Sequence, residues 1–544
     1  MTPLVSLARQ KSTGPVRTNR PIYVDLLPPC NNACPAGEDI QAWLALAQAG
    51  KFREAWESLV ANNPMPAVHG RVCYHPCETS CNRKDLDSSV SIHAIERFLG
   101  DRAAAEGWPL PRTAPPSGKR VLVVGAGPSG LSAAYHLTRL GHEVEIHEAG
   151  PLPGGMLHFG IPAYRLPRED LMKEIRQIER MGVKIVVDHR VDDVLAEKEA
   201  GGFDAVFIAI GAHLSKHVEI PARDAVKVLD AVSLLHDVET GETPVLGRRV
   251  VIYGGGNTAM DAARTARRLG ATDALIVYRR DRAHMPAHEF EADEALAEGI
   301  RIKWLTTIKA IDGADLTVET MRIDEKGRAQ PTGQFETLTA DAVVLALGQD
   351  ADTGFLRKIP EIVHAADGTV VVGPDMMTGY PGVFAGGDMV PAERSVTIAT
   401  GHGKKAARNI DAWLRGVAYT RPAKHPVIDF AGLNLPIYSD AERSAEHETP
   451  VAARVGFEEV VAGLTEAEAL HEARRCLSCG NCFECDNCFA ACPEGAIAKL
   501  GPGQGYQLRE AACTGCAACF EQCPCHAITM VDDAGGAGGA KGAA

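Results

Sequence analysis

Between residues 119 and 415 the chain alternates short, β-branched apolar runs with longer stretches of helical period. The runs read VLVVGAG, EVEIHEA, DAVFIAIG, RVVIYGGG, DALIVYRR and DAVVLALG. Continuous apolar strands separated by helical segments are the pattern of parallel sheets covered on both faces by crossover helices. The stretch is long enough for two Rossmann-like dinucleotide-binding domains. Upstream, the helical patterns IQAWLALAQAG and FREAWESLVA are mixed with Cys and Pro turns and end in the breaker-rich stretch Thr113 to Gly118. Residues 416–470 are weakly patterned, and the final AGGAGGAKGAA is too simple and polar to pack. The expected class is therefore α/β with an α+β unit at the end. The expected organisation is a helical unit over 1–112 and one domain in two halves, 119–245 and 346–416, interrupted by a second at 246–345. A linker over 417–470, a Cys-rich unit over 471–531 and a disordered tail over 532–544 complete it.

Composition narrows the function classes. The 544 residues are 45% hydrophobic, enough for several cores, and the formal charge is −14. No block of Lys and Arg could track a phosphate backbone, so nucleic acid is not an expected partner. No run approaches the ~18 consecutive apolar residues of a membrane span, and the first residues lack the apolar core of a secretory signal. A cytoplasmic location follows as an expectation. Sixteen cysteines in such a chain do not form a disulfide framework. They fall only within 30–81 and 476–525.

Two stretches carry dinucleotide chemistry. Val121 to Val124 lead into Gly125-Ala-Gly127-Pro-Ser129-Gly130 and then a helical segment, which puts the glycines at a strand-to-helix turn. Gly125 permits the tight turn, Gly127 lets backbone approach a pyrophosphate, and Gly130 lets helix and strand pack. Glu148 closes the next strand, where a carboxylate can bind a ribose. The second stretch is Gly254-Gly-Gly256-Asn257-Thr258-Ala259, with Ala in place of the third glycine. Its following strand ends in Arg279-Arg280, whose guanidinium groups suit a 2′-phosphate and favour NADP over NAD; a solvated basic strand end is the alternative. Two fingerprints imply one flavin and one nicotinamide held face to face. A late segment, Gly382 to Gly387 and Asp388, followed by Ser395-Val396-Thr397 opening a helix, resembles the returning half of a flavin domain. That resemblance assigns FAD to the first fingerprint. No Cys-x-x-Cys pair lies beside either fingerprint, which argues against disulfide chemistry.

The cysteine spacing at the C-terminus is specific. Cys482, Cys485, Cys488 and Cys492-Pro493 repeat as Cys513, Cys516, Cys519 and Cys523-Pro524, the two-cluster bacterial ferredoxin run stated twice. The fourth Cys of each run ligates the other cluster. One set is then Cys482, Cys485, Cys488 and Cys523, and the other is Cys513, Cys516, Cys519 and Cys492. A zinc ribbon would use separated ligand pairs instead.

The remaining motifs carry a resemblance. Cys30-x3-Cys34-Pro35 and Gly70-Arg71-Val72-Cys73-x3-Cys77-Glu78-x2-Cys81, followed by the two fingerprints, resemble the glutamate synthase small-subunit family. The electron-input half of dihydropyrimidine dehydrogenase is similar. The resemblance spans roughly 30–415 and includes Gly154-Gly155-Met156-Leu157 in the flavin domain and Met285-Pro286-Ala287 in the nucleotide domain. It implies an N-terminal iron–sulfur domain with two 4Fe–4S clusters. One of these takes an oxygen ligand from the helix after the last Cys, where Glu96 stands, with Glu78 a nearer competitor. Family members begin with an Arg-Cys-Leu-x-Cys pair, absent here before Cys30 but present as Arg475-Cys476-Leu477-Ser478-Cys479. The expectation is that Cys476 and Cys479 fold back to complete a cluster with Cys30 and Cys81, leaving Cys34, Cys73, Cys77 and Glu96 for the other. The alternative is that they merely extend the ferredoxin unit. Cys525 is left unliganded.

The expected activity is an FAD-, NADP- and iron–sulfur-dependent oxidoreductase with four 4Fe–4S clusters. Hydride transfer at FAD would feed a one-electron relay to a larger partner subunit in a hetero-oligomer, such as a 2-oxoacid oxidoreductase. The alternatives are a glutamate synthase small subunit and a subunit of an electron-bifurcating transhydrogenase. No acid–base catalytic residue is expected, because the cofactors carry the chemistry.

Overall fold

The computed structural model of the chain describes residues 17–111, 114–216, 220–223 and 227–533. The first sixteen residues lie outside them, as does the expected tail 532–544 from 534 onward, whereas Asp532 ends a strand instead of starting a tail. Two five-stranded parallel sheets dominate. In the first, the strand order is Val383–Ala385, Ala205–Ile208, Arg120–Val124, Glu143–His147 and Lys184–Val186. Val121 to Val124 are buried because helices cover both sheet faces, which explains their uninterrupted apolar run. The second sheet runs Arg301–Lys303, Asp273–Val277, Arg249–Tyr253, Ala342–Leu345 and Lys227–Asp230. The antiparallel strands Ala329–Thr339, Asp315–Ile323 and Thr306–Asp312 flank it.

The chain crosses between the sheets twice, through Leu214–Ser215 and back through Gln349–Asp350, and these two short strands pair antiparallel. The second sheet is thus an insertion in the first, whose last strand, Val383–Ala385, comes after the return. An α/β fold of Rossmann-like sheets is what the sequence pattern anticipates.

The N-terminal helices Ile40–Gln48, Phe52–Val60, Pro66–Val72 and Ile92–Glu106 bury Trp43, Trp56, Leu59 and Met65. Pro66–Val72 and Ile92–Glu106 touch backbone to backbone. A Cβ at Gly100 would stand 2.4 Å from the Ala67 nitrogen, and one at Gly70 2.4 Å from the Arg97 nitrogen. Segment 417–470 straps this helical unit by charge. Arg443 reaches Glu78 at 2.6 Å, and Glu459 bridges Arg71 and Arg97 at 2.8 and 2.9 Å. The strap ends in the helix Glu466–Arg474, started by a capping box between Thr465 and Glu468.

The C-terminal unit packs the helix Asn487–Ala491 on the hairpin Ile497–Gly501 and Gly505–Leu508, and the helix Ala518–Glu521 on the strand Ile528–Asp532. Its last strand, Ile528–Asp532, pairs antiparallel with Asn19–Tyr23, so a strand from the other end of the chain completes it.

Candidate cofactor and cluster sites

The first fingerprint leaves Val124 and turns at Gly125, whose φ of +105° favours glycine. A Cβ at Gly130 would lie 2.0 Å from the Gly125 carbonyl oxygen, so only glycine lets the helix Pro128–Arg139 approach its strand. Gly127, with nothing within 4 Å of a built Cβ, leaves an open surface at the helix N-terminus. The Gly154-Gly155 turn closes one side, a Cβ at Gly155 reaching 3.1 Å from the Gly127 Cα, and Met156 opens the short helix that follows. Glu148 accepts hydrogen bonds from the Ala126 and Gly150 nitrogens at 2.7 and 2.8 Å, which fixes its carboxylate at the strand end.

The returning half closes over the same loop. A Cβ on Gly387, at φ +74°, would touch the Ser129 Cβ at 3.1 Å, and one on Gly403 would meet the Ser129 carbonyl oxygen at 2.2 Å. Gly403 belongs to the helix Val396–Leu414, capped by Ser395. Two polar groups here form no hydrogen bond among the described residues, though Arg394 acts on the second through its charge. The Ser129 hydroxyl is buried without a hydrogen bond, and burial pushes the Asp388 carboxyl up to about 6. A glycine-cradled surface with an orphaned hydroxyl and a buried carboxyl fits a dinucleotide bearing a polyol, as FAD does.

At the second fingerprint, Gly254 has φ +153°, and a Cβ there would lie 2.2 Å from the Ala346 carbonyl oxygen. Gly256 is open like Gly127, Thr258 is half-buried and Ala259 is buried. Asn257 is fixed from two sides, donating to the Tyr74 hydroxyl at 2.5 Å and accepting from the His288 nitrogen at 3.0 Å. Tyr74 and His288 stack with centroids 3.7 Å apart. Sequence reasoning misses both residues. The available signal is the aromatic residue following Cys73. At the end of the next strand, Arg279 is exposed and the Arg280 Nε is buried without a partner. Neither forms an ion pair among the described residues, so this end of the strand presents unspent positive charge, which fits a 2′-phosphate.

The cysteines gather in four groups. Cys30, Cys81, Cys476 and Cys479 line one cavity together with Leu44 and Asn82. Asn82 donates to Cys479 Sγ at 3.6 Å. Arg475, fully buried, holds the preceding turn by pairing with Asp87 at 3.1 Å and Glu472 at 2.8 Å. Cys34, Cys73 and Cys77 face one another beside Glu96. Thr397, in the first turn of the helix over the first fingerprint, donates to Cys73 Sγ at 3.0 Å. Asn63 donates to Glu96 at 2.7 Å and to Glu38 at 3.1 Å, and burial drives both carboxyls up. Glu38 is thus a second oxygen donor in this group that sequence reasoning misses. Glu78 is committed elsewhere, to His93 at 2.7 Å and Arg443 at 2.6 Å.

In the C-terminal unit, Cys482, Cys485, Cys488 and Cys523 face one another. Cys492, Cys513, Cys516 and Cys519 line a second cavity with Pro21 and Ile497. Backbone nitrogens already point at these sulfurs, Ala496 to Cys492 and Ala527 to Cys523, both at 3.2 Å. Cys525 is buried 3.9 Å from Cys523 Sγ; its thiol bond helps bring Cys523 down to about 7 while Cys525 itself is driven up. Convergent thiols without disulfides, with N–H groups aimed at sulfur, are a donor set for iron–sulfur clusters.

Comparison with known proteins agrees with this chemistry. The family described as pyridine nucleotide-disulphide oxidoreductase matches residues 116–403, and that of dihydropyrimidine dehydrogenase domain II, 4Fe–4S cluster, matches 19–108. The NADP(+)-dependent formate dehydrogenase subunit beta of Moorella thermoacetica is 38% identical over 499 residues, 83% of this chain and 70% of that protein. The NADPH-Fe(3+) oxidoreductase subunit beta of Geobacter sulfurreducens is 35% identical over 508 residues, 83% of this chain and 75% of that one. The glutamate synthase [NADPH] small chain of Escherichia coli is 34% identical over 419 residues, 71% of this chain and 89% of that one. Two dinucleotide folds, thiol groups at both ends and these relatives together place the chain in the glutamate synthase small-chain-like family of NAD(P)H-dependent flavin iron–sulfur oxidoreductases.

Proposed function

We propose that the chain binds FAD at the first fingerprint, NADP(H) at the second and four 4Fe–4S clusters, and exchanges electrons between NADP(H) and a larger partner subunit. Gly125, Gly127, Ser129, Gly130, Glu148, Gly155, Met156, Gly387, Asp388, Val396 and Thr397 would hold the flavin. Gly254, Gly256, Asn257, Thr258 and Ala259 would hold the nicotinamide dinucleotide, with Arg279 and Arg280 on its 2′-phosphate. The cluster ligands are Cys30, Cys81, Cys476 and Cys479; Cys34, Cys73, Cys77 and Glu96; Cys482, Cys485, Cys488 and Cys523; and Cys492, Cys513, Cys516 and Cys519. Bound there, the flavin converts two-electron to one-electron chemistry and the clusters conduct single electrons.

The observation that carries this reading is the continuity of the thiol groups. Thr397 bonds Cys73 beside the first fingerprint, and Cys77 faces Cys30 of the next group. Cys479 of that group is three residues from Cys482, and Cys488 in turn faces Cys519. Cys516, at the far end, is exposed. The protein's part is to fix this order and to keep the buried groups dry. The names of the relatives, a beta subunit or a small chain, support a larger partner at the exposed end, and their NADP or NADPH supports the role given to Arg279 and Arg280.

Anaerobic titration of the purified chain with NADPH tests the reading. Flavin absorbance should bleach and cluster absorbance should follow, with about 16 iron per chain. A flavin that NADPH leaves oxidised sinks the proposal at its first step. Native mass measurement of the complex would show the partner.

A further inference from the structure

The strand Asn19–Tyr23 does more than complete a sheet. Its register with Ile528–Asp532 runs from Asn19 opposite Asp532 to Tyr23 opposite Ile528. Backbone bonds extend the pairing at both ends, Val24 to the Ala527 oxygen at 3.0 Å and Asp533 to the Thr18 oxygen at 2.7 Å. The pairing delivers Tyr23 into the core of the C-terminal unit, where its ring stacks on Tyr506 at 6.2 Å. Its hydroxyl lies 3.3 Å from Cys488 Sγ. Tyr506 is no rival for that sulfur, because its own hydroxyl donates to Asp486 at 2.7 Å.

A cysteine that ligates iron is a thiolate and can only accept, so the phenol must be the donor. A hydrogen bond to a ligand sulfur weighs more on the reduced cluster, which carries the extra negative charge, and so favours reduction. We propose that Tyr23 raises the reduction potential of the cluster held by Cys482, Cys485, Cys488 and Cys523 through an O–H to S hydrogen bond. The beginning of the chain thereby sets how readily electrons enter its C-terminal unit. The inference rests on the ligand assignment proposed above. Tyr23 is a positioning residue in this scheme, since it touches a ligand and not the iron.

The test is potentiometric titration followed by electron paramagnetic resonance, with iron counted per chain, on the full-length loaded protein and two variants. Tyr23→Phe keeps the ring and loses the donor. It should retain full iron while one cluster of the four becomes harder to reduce, its reduced fraction at a fixed solution potential falling about three- to tenfold. The other three midpoints should stay in place. Incorporation of 3-fluorotyrosine at position 23 keeps the hydroxyl and makes it a stronger donor, so the same midpoint should move the opposite way. If Tyr23→Phe loses iron, the fluorinated protein alone decides by the sign of its shift. Fully loaded variants with unchanged midpoints, or with shifts of the same sign, overturn this proposal alone. A wild-type protein lacking that cluster's iron overturns the ligand assignment and this proposal together.

Discussion

Thr397 donates its hydroxyl to Cys73 Sγ at 3.0 Å across 324 positions of sequence. The helix that Thr397 opens also presses Gly403 onto Ser129, so one rigid element touches both the first fingerprint and the nearest thiol group. Thr397→Val keeps the shape and removes the donor. Cluster reduction by NADPH should slow about three- to tenfold, more than flavin reduction does, while iron content holds, as read by stopped-flow absorbance at separate wavelengths.

Arg279 and Arg280 bear on nucleotide choice. With no carboxylate partner among the described residues, their charge is available to a 2′-phosphate. Replacing both with Gln should raise the KM for NADPH about 10- to 100-fold and change that for NADH less than about twofold. Equal loss with both nucleotides would mean that the pair does not read the phosphate.

Cys476 and Cys479 share a cavity with Cys30 and Cys81. Changing both to Ala should remove about four of 16 iron per chain while flavin content is kept. Full iron in the variant would return these two residues to a structural role.

Glu174 gives a pH dependence. It accepts from the Ala67 and Val68 nitrogens at 2.8 and 2.9 Å, capping a helix of the N-terminal unit, yet burial pushes its carboxyl up to about 8. Between the ordinary carboxylate value of about 4.5 and this one, the folded protein keeps a proton that the unfolded chain has lost. Stability therefore falls as pH rises through this window, by at most about 1.4 kcal/mol per pH unit, and levels off above it. Thermal unfolding of the anaerobic protein at pH 5.5, 6.5 and 7.5 should show the decline, and Glu174→Gln should flatten it.

The fingerprints and the ferredoxin runs are legible in sequence because each is a contiguous stretch whose residue types obey local geometry. Gly125 and Gly254 stand at positive φ, where a side chain is strained, and the cysteine triplets have a period that suits one cluster corner. Pairings made at a distance are not legible. Asn19–Tyr23 is five residues long, shows no clear alternation and contains Pro21, which an edge strand tolerates; only the folded chain shows its partner. Segment 417–470 reads as weakly patterned because Arg443, Glu446 and Glu459 hold it by ion pairs, which hydrophobic periodicity does not register. Tyr74 escapes notice for a related reason. Its contact with Asn257 joins two domains, and no motif spans that boundary.

The pairing of Asn19–Tyr23 with Ile528–Asp532 has a consequence for biosynthesis. Arg17 and Asp533, ion-paired at the edge of that sheet, are 516 residues apart, so one waits outside the ribosome for the other to emerge. At about 5–20 residues per second the wait is roughly half a minute to two minutes. Until then the C-terminal unit lacks an edge strand, and the group containing Cys30 and Cys81 lacks Cys476 and Cys479. With the ligand sets proposed above, iron would reach these sites only after translation, and a nascent chain interrupted late would carry open, oxidisable thiols near both of its ends.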